Sequence, residues 1–192
     1  MIASNDVRLR AAEPEDLELA YKLENDVRLW QYVCTSAPYS RFALKQFLEQ
    51  NTADIFADKQ VRLTVDVRLR ETASAADDSS WTAVGFVDLN DFDPLHNRAE
   101  LGMALLPGYE GRGIGQRALA QLIDYAAAIH LHTIYAIIAE DNKKASRIFE
   151  LAGFTPSAHL CDWLFDGTEY HDACLWLMTI GRDRCDRRAS RP

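Results

Sequence analysis

Three glycines alternate in Gly111-Arg112-Gly113-Ile114-Gly115, between an apolar run and an amphipathic one. Alternating glycines let a backbone approach an anion closely and take up positive φ. A helix opening at about Gly115 aims unpaired N–H groups, and the positive end of its dipole, at whatever sits over the loop. The pattern suits a phosphate-bearing cofactor. A dinucleotide loop is one version of it, since Gly111-Arg112-Gly113 supplies the first two glycines of G-x-G-x-x-G and Glu140 follows the next strand. Its third position is Gln116, however, and three β runs precede the loop. A nucleotide P-loop fails because no G-K-[ST] ends the turn. A turn without a ligand rarely needs more than one or two residues at positive φ.

The elements around the glycines follow from periodicity. Ala99 to Leu106 reads as the strand feeding the loop, stopped by Pro107 and Gly108. Gln116 to Ile129 places Ala118, Leu119, Leu122, Ile123, Ala126 and Ile129 on one helical face. Thr133 to Ala139 has the length and apolarity of a buried strand. Asp141 or Asn142 caps a short second helix holding Ala145, Ile148, Phe149 and Leu151, with Gly153 as its C′ residue.

Upstream, Val7–Arg10 alternates like an edge strand, and Pro14 opens a helix to about Asn25. Asp26 to Thr35 stays open between a short helix and a substrate loop. Ser40 caps a helix that ends near Asn51. Val61 to Leu69 alternates strictly with Arg62, Thr64, Asp66 and Arg68, and reads as a half-exposed strand. Trp81–Asp88 returns, with Gly85 as a bulge. Glu71–Ser80 and Asn90–Asn97 read as turns. Thr155–Leu164 and Tyr170–Leu177 form a hairpin around Asp166-Gly167. The predicted class is α/β (α+β), a central sheet of mixed direction with helices on both faces. One domain is expected over residues 1–180, with the Arg-rich tail 181–192 disordered.

Composition narrows the function. Of 192 residues 48% are hydrophobic, a globular balance. No apolar run approaches the ~18 residues needed to span a bilayer, and the N-terminus lacks the apolar stretch of a signal peptide, so a cytoplasmic protein without a membrane partner is expected. Cys34, Cys161, Cys174 and Cys185 form no C-x-x-C pair, so free thiols and no metal are expected. The net charge is −8, and the residues after Thr179 carry a net +3, which leaves −11 on the body. Such a body repels nucleic acid and attracts cationic small molecules.

Two motifs carry a resemblance to a known superfamily. Pro107-Gly108-Tyr109-Glu110-Gly111-Arg112-Gly113-Ile114-Gly115 resembles the acetyl-CoA pyrophosphate loop of the GNAT N-acetyltransferases. Asn142-Lys143-Lys144-Ala145-Ser146-Arg147-Ile148-Phe149-Glu150-Leu151-Ala152-Gly153-Phe154 is similar to that superfamily's second signature. The spacing of the two and the order of elements from about Val7 to Thr179 match as well. The resemblance implies a GNAT fold, with a mostly antiparallel sheet and a splayed strand pair. It implies acetyl-CoA as co-substrate, with no metal. Cofactor contacts are then expected from Met103, Ala104, Leu105 and Leu106, from Glu110, Gly111, Arg112, Gly113, Ile114, Gly115 and Gln116, and from Asn142, Ser146 and Phe149.

Direct transfer of the acetyl group to an amine is the implied reaction, and it needs a base. Glu100, in Ala99-Glu100-Leu101-Gly102, resembles the A-E-[LIF]-G strand of the superfamily and is the first candidate; Asp88 is the second. His171 could face the substrate side from the last hairpin, His96 reads as a solvated turn residue, and Tyr170 could stand in for a missing acid. Two positions depart from the pattern. Glu110 stands where Gln or Arg is usual, so it is expected to offer its N–H and turn its carboxylate outward. Phe149 stands where many relatives have a tyrosine acid, and it cannot donate.

The opening VRLRAAEPEDLE, the HNRAELG segment and the DGTEYHDA hairpin resemble the subgroup of spermidine and ribosomal-protein N-acetyltransferases. That implies a primary amine on a small cation or a peptide N-terminus as acceptor, and a homo-oligomer. Ser36-Ala37-Pro38-Tyr39 lacks the acidic residues that polyamine enzymes usually carry before Pro-Tyr. An acyl-CoA-binding regulator without turnover and a dinucleotide oxidoreductase are the alternatives.

Overall fold

The computed structural model describes residues 6–30, 37–52, 54–68 and 81–181. The expected turn Glu71–Ser80, most of the tail and Tyr32 and Cys34 lie outside the described residues. So do Ser36, at the start of the Pro-Tyr segment, and Leu69, at the end of its strand.

Seven strands form one sheet: β1 (Val7–Ala11), β2 (Val61–Arg68), β3 (Trp81–Asp93), β4 (Arg98–Leu105), β5 (Thr133–Ala139), β6 (Thr155–Phe165) and β7 (Tyr170–Thr179), in the spatial order β1-β2-β3-β4-β5-β7-β6. Every neighbouring pair is antiparallel except β4 and β5, which are parallel. Val7–Ala11 lies at one edge of the sheet, as its short alternating pattern predicts.

Helices cover both faces. On one lie α5 (Ile114–Ala128) and α6 (Lys143–Ala152). Ile114, Ala118, Leu119, Leu122 and Ala126 of α5 are buried against Leu101, Ile134 and Phe149. The opposite face carries α1 (Leu17–Glu24) and α3 (Arg41–Gln50), whose Leu19, Leu23, Leu44 and Leu48 close over Phe86. Two one-turn helices join them: α2 (Val27–Trp30), in the segment left open between a short helix and a loop, and α4 (Ile55–Asp58), an addition to the expected order. Ser40 caps α3 as expected, its hydroxyl accepting from the Ala43 N–H at 3.1 Å. No helix among the described residues is long and apolar enough to cross a membrane.

Strand β2 differs from its expected half exposure. Thr64 and Asp66 are as buried as Val65 and Val67. The polar face meets charges instead of water. Asp66 accepts from Arg8 and Arg10 at 3.0 Å each, and Arg10 forks onto both oxygens of Asp16 at 2.7 Å. Thr64 donates to Asp16 at 2.8 Å. A charged pattern looks the same in sequence whether its partner is solvent or a neighbouring strand. Buried carboxylates are tolerable here because guanidinium forks saturate their oxygens.

Two irregularities shape the sheet near β4. The β2–β3 register shifts at Val65/Asp66, opposite Gly85, as the bulge reading predicts. A Cβ at Gly85 would lie 2.3 Å from the Ala104 carbonyl oxygen, so only glycine lets β3 come this close to β4. A second shift, between Asn90 and Asp93, lengthens β3 past its expected end at Asp88. Asp91 sits in it with φ 48°.

Candidate active site

Strands β4 and β5 share only three rungs, Arg98↔Thr133, Ala99↔Ile134 and Glu100↔Tyr135. Beyond Glu100, β4 stays with β3 as far as Leu105, and β5 stays with β7 as far as Ala139. The two strands therefore fork. Buried backbone groups seek partners, and the facing edges of 101–105 and 136–139 are not paired with each other. Met103 and Leu105 point toward α5, while Ala104 and Leu106 belong to the α1/α3 side.

The glycine loop lies where β4 leaves the sheet. Gly108, Gly111 and Gly113 have φ of 87°, 71° and 76°, and Gly113 is the N-cap of α5. The Arg117 N–H bonds to the Gly113 carbonyl at 3.3 Å, so helical bonding starts at Arg117. The N–H groups of Ile114, Gly115 and Gln116 precede that bond and belong to the unpaired first turn. A Cβ on Gly115 would lie 3.3 Å from Met103, so this glycine lets α5 pack closely on β4.

Cationic groups surround the loop. The Arg117 guanidinium stands 3.9 Å from the Cβ direction of Gly113, and its buried Nη1 has no hydrogen-bond partner among the described residues. Arg112 lies over the Tyr109 ring at 5.8 Å. Glu110 is exposed and pairs with Lys144 at 3.6 Å, so its carboxylate is occupied outside the loop, as expected. That pair also links the loop to the first turn of α6. An orphaned buried guanidinium N–H beside three free helix N–H groups fits a pyrophosphate.

Asn142 and Ser146 build the start of α6. The Asn142 side chain accepts from the Ala145 N–H at 3.1 Å, and the Ser146 hydroxyl donates to the Asn142 carbonyl at 3.1 Å. Asn142→Ala is expected to cost about 1 kcal/mol of stability, read as a lower urea midpoint at unchanged slope. Phe149 is buried in the α5-side core, edge-on to Phe154 at 4.9 Å.

On the α1/α3 side of the fork, Glu100, Gly102 and Asp88 share one face, since Asp88 pairs with Gly102 and Asn90 with Glu100. The Arg62 guanidinium donates to both Asp88 oxygens, at 2.8 and 3.2 Å, and to Glu24 at 2.6 Å. Burial pushes the Asp88 carboxyl above its ordinary range against the pull of Arg62. Burial also disfavours the charge on Arg62, yet Asp88 and Glu24 hold it above its ordinary value. With both oxygens taken, Asp88 is placed as the partner of Arg62. Glu100 has no cation partner among the described residues. Burial, and next the charge of Asp91, raises its carboxyl above the ordinary glutamate value.

The weaker candidates lie elsewhere. The His96 N–H donates to Asp93 in the β3–β4 turn at 3.1 Å. His171 bonds to Asp166 at 2.9 Å in the β6–β7 hairpin, and Tyr170 stacks on Phe165 there. The structure adds Arg117 and Tyr135, which the sequence reading did not single out. Tyr135 is the rung partner of Glu100, so both side chains lie on one face at the apex of the fork. Arg117 was legible only as one more helix cation.

The sequence matches the acetyltransferase (GNAT) domain family over residues 6–155. The chain belongs to that family. It is a GNAT acetyltransferase, and the forked strands with a glycine loop at their mouth are this family's architecture in the present chain. Spermidine N(1)-acetyltransferase of Escherichia coli K12 is 28% identical over 90% of this chain and 86% of its own length. Its Vibrio cholerae counterpart is 26% identical over 88% and 90%. The crystal structure of a Vibrio cholerae spermidine N-acetyltransferase in complex with CoA and spermine superimposes with a TM-score of 0.76. It is 24% identical and covers 92% of this chain and 96% of that one. GNAT enzymes use acetyl-CoA, and the family assignment replaces the dinucleotide and non-catalytic readings.

Proposed function

We propose that this GNAT enzyme transfers the acetyl group of acetyl-CoA directly to a primary amine of a small polycation of the spermidine class. The observation that carries this is the β4–β5 fork, with the glycine loop at its mouth and Glu100 at its apex. Acetyl-CoA supplies an acetyl group activated as a thioester. The N–H groups of Ile114, Gly115 and Gln116, with Arg117 and Arg112, hold the pyrophosphate. The β4 edge from Met103 to Leu106 offers main-chain groups to the pantetheine arm, and one N–H there polarises the reacting carbonyl. Glu100 accepts the ammonium proton so that the amine attacks as a free base. Phe149 donates no proton; Tyr135, beside Glu100, is the hydroxyl best placed to protonate the departing thiolate.

Relatives named for spermidine acetylation support the acceptor class. So does a net charge of −8, which draws polycations toward the protein. Glu24, Asp88 and Glu100 add carboxylates on the α1/α3 side of the sheet. The Pro38–Tyr39 segment is held beside α1 by Asn25, whose side chain bridges the Tyr39 N–H and carbonyl at 2.8 and 3.1 Å. A dodecameric Vibrio cholerae neighbour makes assembly of several copies part of the same proposal.

The test is acetyl-CoA-dependent thiol release with spermidine, free amino acids, an aminoglycoside and an N-terminal peptide side by side. Spermidine is expected to give release above the no-amine control, with kcat/KM at least about 10-fold above the other acceptors, a difference of roughly 1.4 kcal/mol in transition-state binding. A preference for the peptide or an amino acid would move the acceptor class.

A further inference from the structure

Strands β6 and β7 carry a cluster that acetyl transfer does not use. The β6–β7 register shifts between Leu160 and Leu164, and Asp162 sits in that irregularity with φ 50°. His159, Cys161 and Asp172 meet there on the exposed side of the strands, one ligand atom of each lying within 4.8 Å of the others. None of the three has a role at the fork.

The hydrogen bonds around His159 set its chemistry. Its Nδ1 lies 2.7 Å from a Glu140 oxygen, while its Nε2 faces an Asp172 oxygen at 3.3 Å. When Nδ1 carries the proton and donates it to Glu140, Nε2 is left as a bare nitrogen. That carboxylate–imidazole arrangement orients metal-binding histidines and raises their basicity. Asp172 is oriented too: its Oδ1 accepts the Asp162 N–H at 2.9 Å, which leaves Oδ2 toward His159. Cys161 adds a thiol that a plain histidine–carboxylate clamp does not require.

We infer that His159, Cys161 and Asp172 form a site for a borderline-soft divalent cation of the zinc type, with Glu140 behind His159. One nitrogen, one thiolate and one carboxylate are a zinc donor set, with the fourth tetrahedral position left to water. Ligands at 2.0–2.3 Å from a tetrahedral centre lie roughly 3.3–3.8 Å apart. The His159–Asp172 pair is already at that spacing, and the exposed Cys161 sulfur lies within 4.8 Å of both ligand atoms. On binding, the Cys161 thiol gives its proton to solvent and the thiolate and Asp172 balance the two positive charges. The neighbouring group of Asp166, Glu169 and His171 is a different case. There Asp166 accepts from the Thr168 N–H and hydroxyl and the Glu169 N–H, a turn that needs no ion.

The inference does not depend on the acceptor. It is tested on the full chain under a non-chelating reductant, with cobalt(II) as spectroscopic probe and zinc in thermal unfolding. Cobalt is expected to give a thiolate-to-metal charge-transfer band that C161S abolishes. Zinc is expected to raise Tm by about 5 °C at saturating excess, and His159→Gln and Asp172→Asn should remove that rise. Glu140→Gln should keep the band but weaken binding about 10–100-fold. All four positions are exposed or half-buried, and circular dichroism checks that each variant folds. No band in the parent protein, or an undiminished band in C161S, overturns the site. A Glu140→Gln variant that binds as tightly as the parent overturns the role of Glu140.

Discussion

Gly113→Asp is expected to weaken acetyl-CoA binding at least about 100-fold while the protein stays folded. Gly113 has φ 76° and caps α5, a conformation that costs an L-residue roughly 1–2 kcal/mol. The space around it is otherwise open, with only the Arg117 guanidinium near, at 3.9 Å. Strain alone therefore lowers stability modestly. The larger effect is electrostatic. An aspartate here would pair with the Arg117 guanidinium and put a negative charge where the pyrophosphate is proposed to lie. A charge pair near 4 Å at a protein surface is worth up to about 4 kcal/mol, and about 2.7 kcal/mol is already 100-fold in Kd. Calorimetric titration with acetyl-CoA, beside a urea unfolding curve, measures both quantities. Gly113→Ala, which carries the strain without the charge, should fall between the two. Unweakened binding by a folded Gly113→Asp protein would remove the loop from the cofactor site.

Glu100→Gln should lower kcat by about 100–1000-fold and leave acetyl-CoA affinity unchanged, since a positioned base contributes 10²–10⁴. The pH profile carries a sharper signature. Burial, followed by Asp91, raises the Glu100 carboxyl above its ordinary value. The base form is then lost at a higher pH than usual as pH falls. The acid limb of kcat/KM should lie above the ordinary glutamate range and vanish in the variant. Asp91→Asn should move that limb to lower pH.

Stability must move the other way. A carboxyl whose value is raised in the fold contributes stability at low pH, and that contribution is lost as pH rises through the raised value. At neutral pH the ionised side chain is a burden, so Glu100→Gln should unfold no earlier than the parent, and slightly later. The gain is small because the group is only half-buried and water screens its charge. Near-parental kcat in the variant would move the base elsewhere, with Tyr135 and Asp88 next to be tested.

The elements of the cofactor side were readable because their signals are local. Glycines at 111 and 113 need positive φ, Asn142 caps its own helix three residues on, and Gly153 ends that helix at φ 103°. The outward turn of Glu110 follows from the loop's family likeness and the sign of its charge, and Lys144 gives the carboxylate a partner there. The polar face of β2 differs from its sequence reading because burial depends on neighbours 48 and 58 residues away, as in Thr64–Asp16 and Arg8–Asp66. Four residues are too few to show a helical period, so the segment of α2 stays open in sequence between helix and loop, and α4 leaves no signal at all.

Residue types and their spacing along the chain were enough to name an anion loop, its helix, the strand before it and a family likeness, because each rests on contacts within a turn or two. The sequence ranks Glu100 ahead of Asp88 by likeness alone, and what surrounds each carboxylate is decided only by folding. Strand pairing puts Arg62 against both oxygens of Asp88 and leaves Glu100 beside Tyr135 at the last rung before β4 and β5 part. Register is a long-range property, fixed by how the strands' apolar faces meet the helices, and a one-residue slip of β4 would turn Glu100 to the opposite face of the sheet, away from Asp88.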